Sequence, residues 1–200
     1  MTAIWGPLGW MTLHSVSHNY PEHPSSSEKQ LASQWIELFR DTITCSTCGA
    51  HFTELLETYK TMYPQYLNSR SEFILFAYRA HNTVNRKLDK PIYHTVEECE
   101  EVYARNISAR SAKEYRSAYI SHIRRSWSTM QDMNGISRLR KVAQLGHIEQ
   151  EYWTPHESNV TTLRGLSTSP LPEKAKPQPV IRQPPSKVSF TGGRLRFQKR

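Results

Sequence analysis

Cysteine, glycine and long apolar runs are all scarce in this chain of 200 residues. It has 3 cysteines and 8 glycines. Three cysteines are too few for a disulfide-stapled secreted scaffold, and any intramolecular pairing leaves one over. No stretch approaches the 18 or so apolar residues that span a bilayer, and the N-terminus lacks the basic start and apolar segment of a secretory signal. A soluble protein acting inside a cell is therefore expected. Acidic residues are also in deficit, with 18 Asp and Glu against 26 Lys and Arg, for a formal charge of +8. The excess is local. Residues 156–200 hold nine Lys and Arg against Glu157 and Glu173, so the tail accounts for +7 of that charge. The body is nearly neutral, and any attraction to nucleic acid or an acidic partner belongs to the appendage.

Helical periodicity dominates what is present. Trp5, Trp10, Leu13 and Val16 stand at broadly helical spacing in a first segment ending near Tyr20, and residues 21–27 read as a loop. Leu31, Trp35, Leu38, Phe39 and Ile43 follow the rhythm of a buried helical face, with Glu28 in the first turn after a serine run. A third segment carries Phe52, Leu55, Leu56 and Tyr59. A fourth runs from Ser71 through Phe73, Phe76, Ala77, Ala80 and Val84 to the break at Lys90 and Pro91, and Thr95 suits the cap of a short fifth helix.

No period-two alternation demands a sheet, so the expected fold is all-α: a four-helix bundle with a short fifth helix. Residues 108–155 form a helical extension, with Tyr115, Tyr119, Ile123, Trp127 and Met130 on one stripe, Gly135 as a break, and Leu139, Val142 and Ile148 beyond. Too short for a core of its own, this piece is expected to pack on the bundle or on a second subunit. Six prolines and few large apolar groups mark residues 156–200 as a disordered tail.

Two cysteines, Cys45 and Cys48, stand at the junction of the second and third helices. Thiols at a helix N-terminus meet unpaired N–H groups and the positive dipole end, which can bring a thiol from about 8.5 to roughly 3.5–7.5 in pKa. A loop this short gains only about 2 kcal/mol of chain-entropy stabilisation from a disulfide, so stapling is a poor reason for the pair. Three other readings compete: half of a zinc site, for which only Cys99 and scattered histidines such as His94 are at hand; a thioredoxin-like motif, which needs a βαβ setting; and two buried small hydrophobes.

Further polar residues lie on helical faces. His81, Asn82 and Asn85 place three hydrogen-bonding side chains within about one turn, where Asn is a mediocre helix former. Lys87 and Lys90 add positive charge that either favours the helix dipole or neutralises a pyrophosphate. Trp10 and His14 stand four apart and so share one side of the first helix.

Taken together, Trp10-x-x-x-His14, Cys45-x-x-Cys48 and His81-Asn82-x-Val84-Asn85-x-x-Leu88-x-Lys90-Pro91, in that order, resemble the Erv/ALR family of FAD-linked sulfhydryl oxidases. The likeness covers about residues 5–103, and Gly6 and the Tyr20-Pro21 step also fall where the family tends to have them. It implies a domain over residues 1–107 that holds FAD non-covalently and forms homodimers. Trp10 and His14 would meet the flavin nucleotide from the first helix. His81, Asn82, Asn85, Leu88 and Lys90 would line its adenosine and phosphate side, with Gly6, Lys87 and Tyr93 as neighbours, and no metal is called for. Cys45 would meet the substrate thiol and Cys48 would face the flavin, with O2 as the final acceptor and hydrogen peroxide as product.

The resemblance also implies protein dithiols or a thioredoxin-like carrier as partners. The chain departs from the family pattern in having no second cysteine pair for a shuttle disulfide or a structural bridge. Pro7 stands where arginine is usual, and Val102 or Tyr103 where a tryptophan is. Viral members are similar in being short and extended by lineage-specific pieces, which points to host cytoplasm or a virion as the place of action. Cys99, among Glu97, Glu98 and Glu100, reads as structural or as an intermolecular bridge. The rival reading is a helical binding module whose basic tail holds nucleic acid or an acidic partner.

Overall fold

The computed structural model describes residues 2–130 and 132–157. The chain winds through α1 (Thr2–Asn19), α2 (Ser26–Thr42), α3 (Ser46–Met62), α4 (Arg70–Lys87), α5 (Val96–Ala109), α6 (Ala112–Ser128) and α7 (Met133–Ile148), and α7 runs on into a π turn at Glu149–Trp153. No strand occurs among the described residues.

Local chemistry sets where these helices begin. Ser25 and Ser111 each form a reciprocal capping box with the glutamate three residues on, Glu28 and Glu114. Ser69, Thr95 and Asp132 cap α4, α5 and α7 through their side-chain oxygens, and the sulfur of Cys45 takes that role for α3. A side-chain oxygen at such a position is worth about 1 kcal/mol against alanine, because it satisfies an N–H that the helix itself leaves unpaired. The cap at Thr95 is the one its sequence suggested.

Helix α1 has no solvated face over its second half. Every residue from Thr12 through Tyr20 is buried, because α4 packs along one side of it and α6 along another. Small hydroxyls make this possible by bonding within the helix: Ser15 Oγ donates to the Thr12 carbonyl at 2.9 Å and Ser17 Oγ to that of His14 at 2.8 Å. One core then joins the first four helices to the extension. Leu13, Val16, Trp35, Phe39, Leu56, Tyr59, Phe73 and Phe76 of the first four helices are continuous with Tyr119, Ile123, Trp127, Val142, Leu145 and Trp153 of the extension.

Residues 112–153 accordingly pack on the bundle, α6 along α1 and α7 along α2. Tyr119, Ile123 and Trp127 are buried as their stripe requires, whereas Met130 is 46% exposed because the helix has already ended. The break was expected at Gly135 and is found earlier, between Ser128 and Met133. Gly135 lies inside the first turn of α7, its N–H held by the Asp132 carboxylate at 2.7 Å. Glycine is required there for a different reason: a Cβ would come 2.2 Å from the Met130 carbonyl oxygen.

A buried charge cluster ties α6 to α1 and to the π turn. Arg116, wholly inaccessible, reaches both oxygens of Glu149 at 2.9 Å, Ser15 Oγ at 3.3 Å and Glu157 at 2.9 Å. Burial raises the pKa of Glu149 and the guanidinium opposes that shift. Losing one member of such a group leaves an uncompensated buried charge, at a cost of about 3–5 kcal/mol. Glu157, which the sequence placed in the tail, is thereby tied to α6; residues 158–200, the rest of the expected disordered tail, lie outside the described residues.

Candidate active site

Two features border the core. The first is the Cys45–Cys48 disulfide, with Cα atoms 5.2 Å apart. Only residues 43–45 separate α2 from α3, so Cys45 serves as N-cap and Cys48 sits in the first turn. The Cys48 N–H points at Cys45 Sγ from 3.2 Å, which directs the positive end of α3 at the sulfur pair. Both cysteines are half-buried against the core, and Ser46 and Thr47 between them are exposed. A disulfide held on a rigid helix end yet open on one side suits exchange with an incoming thiol.

The second feature lies where α1 meets α4. The rings of Trp10 and His81 stack at a centroid distance of 4.3 Å and an angle of 10°. His14 Nε2 and His81 Nδ1 are 3.1 Å apart, and the Tyr93 ring stands edge-on to His81 at 5.6 Å. Burial, reinforced by Lys90, pushes His81 down to about 3. His14 is lowered as well, first by burial and then by the neighbouring His81 and His18. Both imidazoles are neutral at neutral pH. His14 Nδ1 and Thr12 Oγ1 are buried with no hydrogen-bond partner.

Asn82 and Asn85 explain how Tyr93 and Lys90 reach this place. The Asn82 carboxamide donates to the Tyr93 carbonyl at 2.8 Å and accepts from the Tyr93 N–H at 3.0 Å. Asn85 Nδ2 donates to the Pro91 carbonyl at 3.1 Å, and the main-chain carbonyl of residue 85 accepts from the Lys90 N–H at 2.9 Å. The loop turns at Asp89, which adopts a positive φ of 53°, tolerable for aspartate. The two asparagines, both buried, therefore pin the segment that follows α4, leaving Lys87, Leu88 and Lys90 exposed at its rim. Gly6 is half-buried near the start of α1, with open space where a Cβ would stand.

The structure thus assembles Trp10, His14, His81 and Tyr93 into one aromatic group, with Asn82 and Asn85 as its framework. Trp10 and the cysteine pair border the same core. Sequence reasoning missed His18, Tyr78 and Tyr103: His18 stacks on Tyr103 at 4.7 Å and 3°, and Tyr78 packs against His14 at 4.6 Å. The signal available was His18 standing four residues beyond His14 on the same side of α1. Cys99 is buried in a second cluster with Ile74, Leu75, Tyr78 and Val96, where burial and then Glu98 and Glu100 raise its thiol pKa. Among the described residues, no group of three or more His, Cys, Asp or Glu is placed to hold a metal ion, and no helix is long and apolar enough to cross a membrane.

The model of the Erv1/Alr family matches residues 8–107. The chain belongs to the Erv1/Alr family. It is similar to the FAD-linked sulfhydryl oxidase of African swine fever virus (isolate Tick/Malawi/Lil 20-1/1983), 35% identical over 88 residues that cover 44% of this chain and 71% of the relative. It is also similar to the FAD-linked sulfhydryl oxidase ERV1 of Oryza sativa subsp. japonica, 31% identical over 100 residues, covering 50% of this chain and 47% of the relative. The mitochondrial FAD-linked sulfhydryl oxidase ERV1 of Saccharomyces cerevisiae is 34% identical over 86 residues, 43% of each chain. The all-helical fold accords with this membership, and the rival binding-module reading is not the one the relatives favour.

Proposed function

We propose that this chain is an FAD-linked thiol oxidase that forms disulfides in protein substrates at Cys45 and Cys48, with O2 as terminal acceptor and hydrogen peroxide as product. The carrying observation is the Cys45–Cys48 disulfide on the N-terminus of α3, in a chain whose family relatives bear that activity in their names. A substrate thiolate attacks Cys45 Sγ, forming a mixed disulfide and expelling the Cys48 thiolate toward the positive helix end. A second substrate thiolate then attacks the substrate sulfur of the mixed disulfide. The substrate leaves oxidised, and its two electrons and two protons remain on the Cys45 and Cys48 dithiol. Cys48 is assigned to the cofactor side, as the family resemblance implies.

The residues between α1 and α4 fit FAD. Trp10, His81 and Tyr93 offer aromatic surface to a flat ring system, His14 Nδ1 has an unused hydrogen-bonding valence in a buried place, and the exposed Lys87 and Lys90 would supply cations to a pyrophosphate. When bound, the flavin supplies the two-electron link between dithiol and dioxygen. Gly6, Asn82, Asn85 and Leu88 complete the proposed contact set. We assign this domain to residues 1–107 and the helical extension to 108–155. The reading extends to homodimers, to protein dithiols or a thioredoxin-like carrier as partners, and to a viral enzyme working in host cytoplasm or a virion, in keeping with the African swine fever virus relative.

Purified protein should be yellow, with a flavin absorption spectrum, and should consume oxygen when given dithiothreitol. Cys48→Ser should abolish turnover and leave the flavin bound. A colourless protein, or one whose oxygen consumption survives Cys48→Ser, would overturn the proposal.

A further inference from the structure

The α6–α7 hairpin meets the bundle at the chain segment that leads into the redox pair. An α-helix cannot pair its last four carbonyls internally, and α2 ends only three residues before Cys45. The partners of those carbonyls come from two sources. Phe39 O accepts from Thr42 Oγ1 at 3.1 Å and Arg40 O from the Ile43 N–H at 3.4 Å, both within the local chain. Thr42 O accepts from Trp127 Nε1 of α6 at 2.9 Å, and Asp41 O accepts from the guanidinium of Arg138 on α7. Lys141 adds an ion pair to the Asp41 carboxylate. The Arg138 guanidinium also lies over the Trp127 ring, 5.7 Å from its centroid, so the two donors support one another.

We propose that Trp127 and Arg138 are positioning residues for the Cys45–Cys48 pair. They fix the last two carbonyls of α2, and with them the three-residue link that sets how α3 presents its N-terminal cysteines. The link contains no glycine to absorb slack, and Ile43 within it is buried, so a hold on residues 41 and 42 is transmitted to Cys45 rather than lost in a flexible turn. The same contacts place two donors at the negative end of α2, offsetting its dipole where the chain approaches a site that must carry a thiolate. The hairpin follows the part of the chain that matches the family model, so this device is additional to the matched domain.

The inference rests on the oxidase reading of the pair, and its test separates the two. Full-length protein is equilibrated without oxygen against reduced and oxidised glutathione, and the Cys45 and Cys48 thiols are trapped and counted. Trp127→Phe removes one donor and keeps an aromatic ring; Arg138→Met removes the other and keeps the aliphatic stem. Each should shift the equilibrium toward the dithiol by about three- to tenfold, the worth of one net hydrogen bond, because slack in the link lowers the effective concentration of one thiol at the other. Val142→Ala is the control. Its side chain is buried in the same hairpin, and its loss weakens packing without removing a donor to α2.

Folding of all variants is checked by thermal melting, and Asp41, whose carbonyl needs the guanidinium, is left intact throughout. The expected result is a shift in Trp127→Phe and Arg138→Met with Val142→Ala within about twofold of the parent, a margin below the hydrogen-bond effect. A parental ratio in the two donor variants, or an equal shift in Val142→Ala, overturns the proposal. Absence of flavin from the parent protein defeats the oxidase reading instead, and leaves the glutathione measurement readable.

Discussion

His14 and His81 face each other Nε2 to Nδ1 at 3.1 Å, and burial holds both imidazoles neutral. One ring must donate and the other accept, so the pair binds a single shared proton position and fixes both ring planes. An acceptor on one ring is satisfied only while the other keeps its N–H. Protonating the accepting ring would put two N–H groups nose to nose, which ties the geometry of this aromatic group to pH.

Stability should fall as pH drops through the unfolded histidine value near 6.5. Burial pushes His18 and His81 down to about 3 in the folded protein and lowers His14 as well. Below pH 6.5 the unfolded chain takes up protons that the folded one refuses, so the folded state loses ground down to about pH 3. At pH 5 the loss is on the order of 2 kcal/mol for each fully buried imidazole. Urea unfolding at pH 7.5 and pH 5 measures it, and equal midpoints would show that these rings are not buried neutral in solution.

Cys45 and Cys48 should behave as one unit. Replacing either by serine removes the disulfide that both halves of the reaction need, so each single variant should lose about as much activity as the double, roughly a thousandfold or more. Oxygen uptake with dithiothreitol gives the comparison. Multiplicative losses, with the double variant far below either single one, would mean that the sulfurs act independently.

Much of this site could be read from residue spacing, and its limits have physical causes. Helix α2 was legible because one face is buried and the other wet, so Leu31, Trp35, Leu38 and Phe39 declare a period. Helix α1 was only half legible: packed between α4 and α6, its second half has no wet face to contrast with the dry one, and Ser15, Ser17 and His18 are buried with Leu13 and Val16. The polar run His81, Asn82 and Asn85 asked for partners; His81 finds the His14 side chain, whereas the two asparagines find main-chain groups of Tyr93 and Pro91, which side-chain pattern cannot reveal. Arg116 was invisible, since an arginine on α6 reads as a solvated residue until Glu149 and Glu157 are brought to it across more than thirty positions of sequence. Gly135 was noticed for the wrong reason, because its role is to let the Met130 carbonyl pass.

Asn82→Ala should loosen the segment that carries Lys90 and Tyr93. Two hydrogen bonds to the Tyr93 main chain disappear together, and its N–H and carbonyl are left to find other partners. The expected destabilisation is about 1–3 kcal/mol, the cost of stranding a buried polar group. Retention of flavin through gel filtration should fall in parallel, while Asn82→Asp, which keeps one acceptor, should recover part of it. Full flavin occupancy in Asn82→Ala would remove the asparagine from the framework of the site.

Arg116→Met distinguishes a structural latch from a packed stem. The methionine keeps the aliphatic bulk but strands the Glu149 carboxylate, which is 5% exposed and loses two contacts at 2.9 Å. Breaking a buried pair in this way costs about 3–5 kcal/mol, whereas replacing both partners by apolar groups is close to neutral. Arg116→Met combined with Glu149→Leu should therefore recover most of the loss, although Glu157 and Ser15 each lose a bond as well. Because the latch joins α1, α6 and the π turn, its failure should release the extension first. Limited proteolysis of Arg116→Met should cut between α5 and α6 before the bundle unfolds, and a single cooperative loss of all helices at once would show that bundle and hairpin stand or fall together.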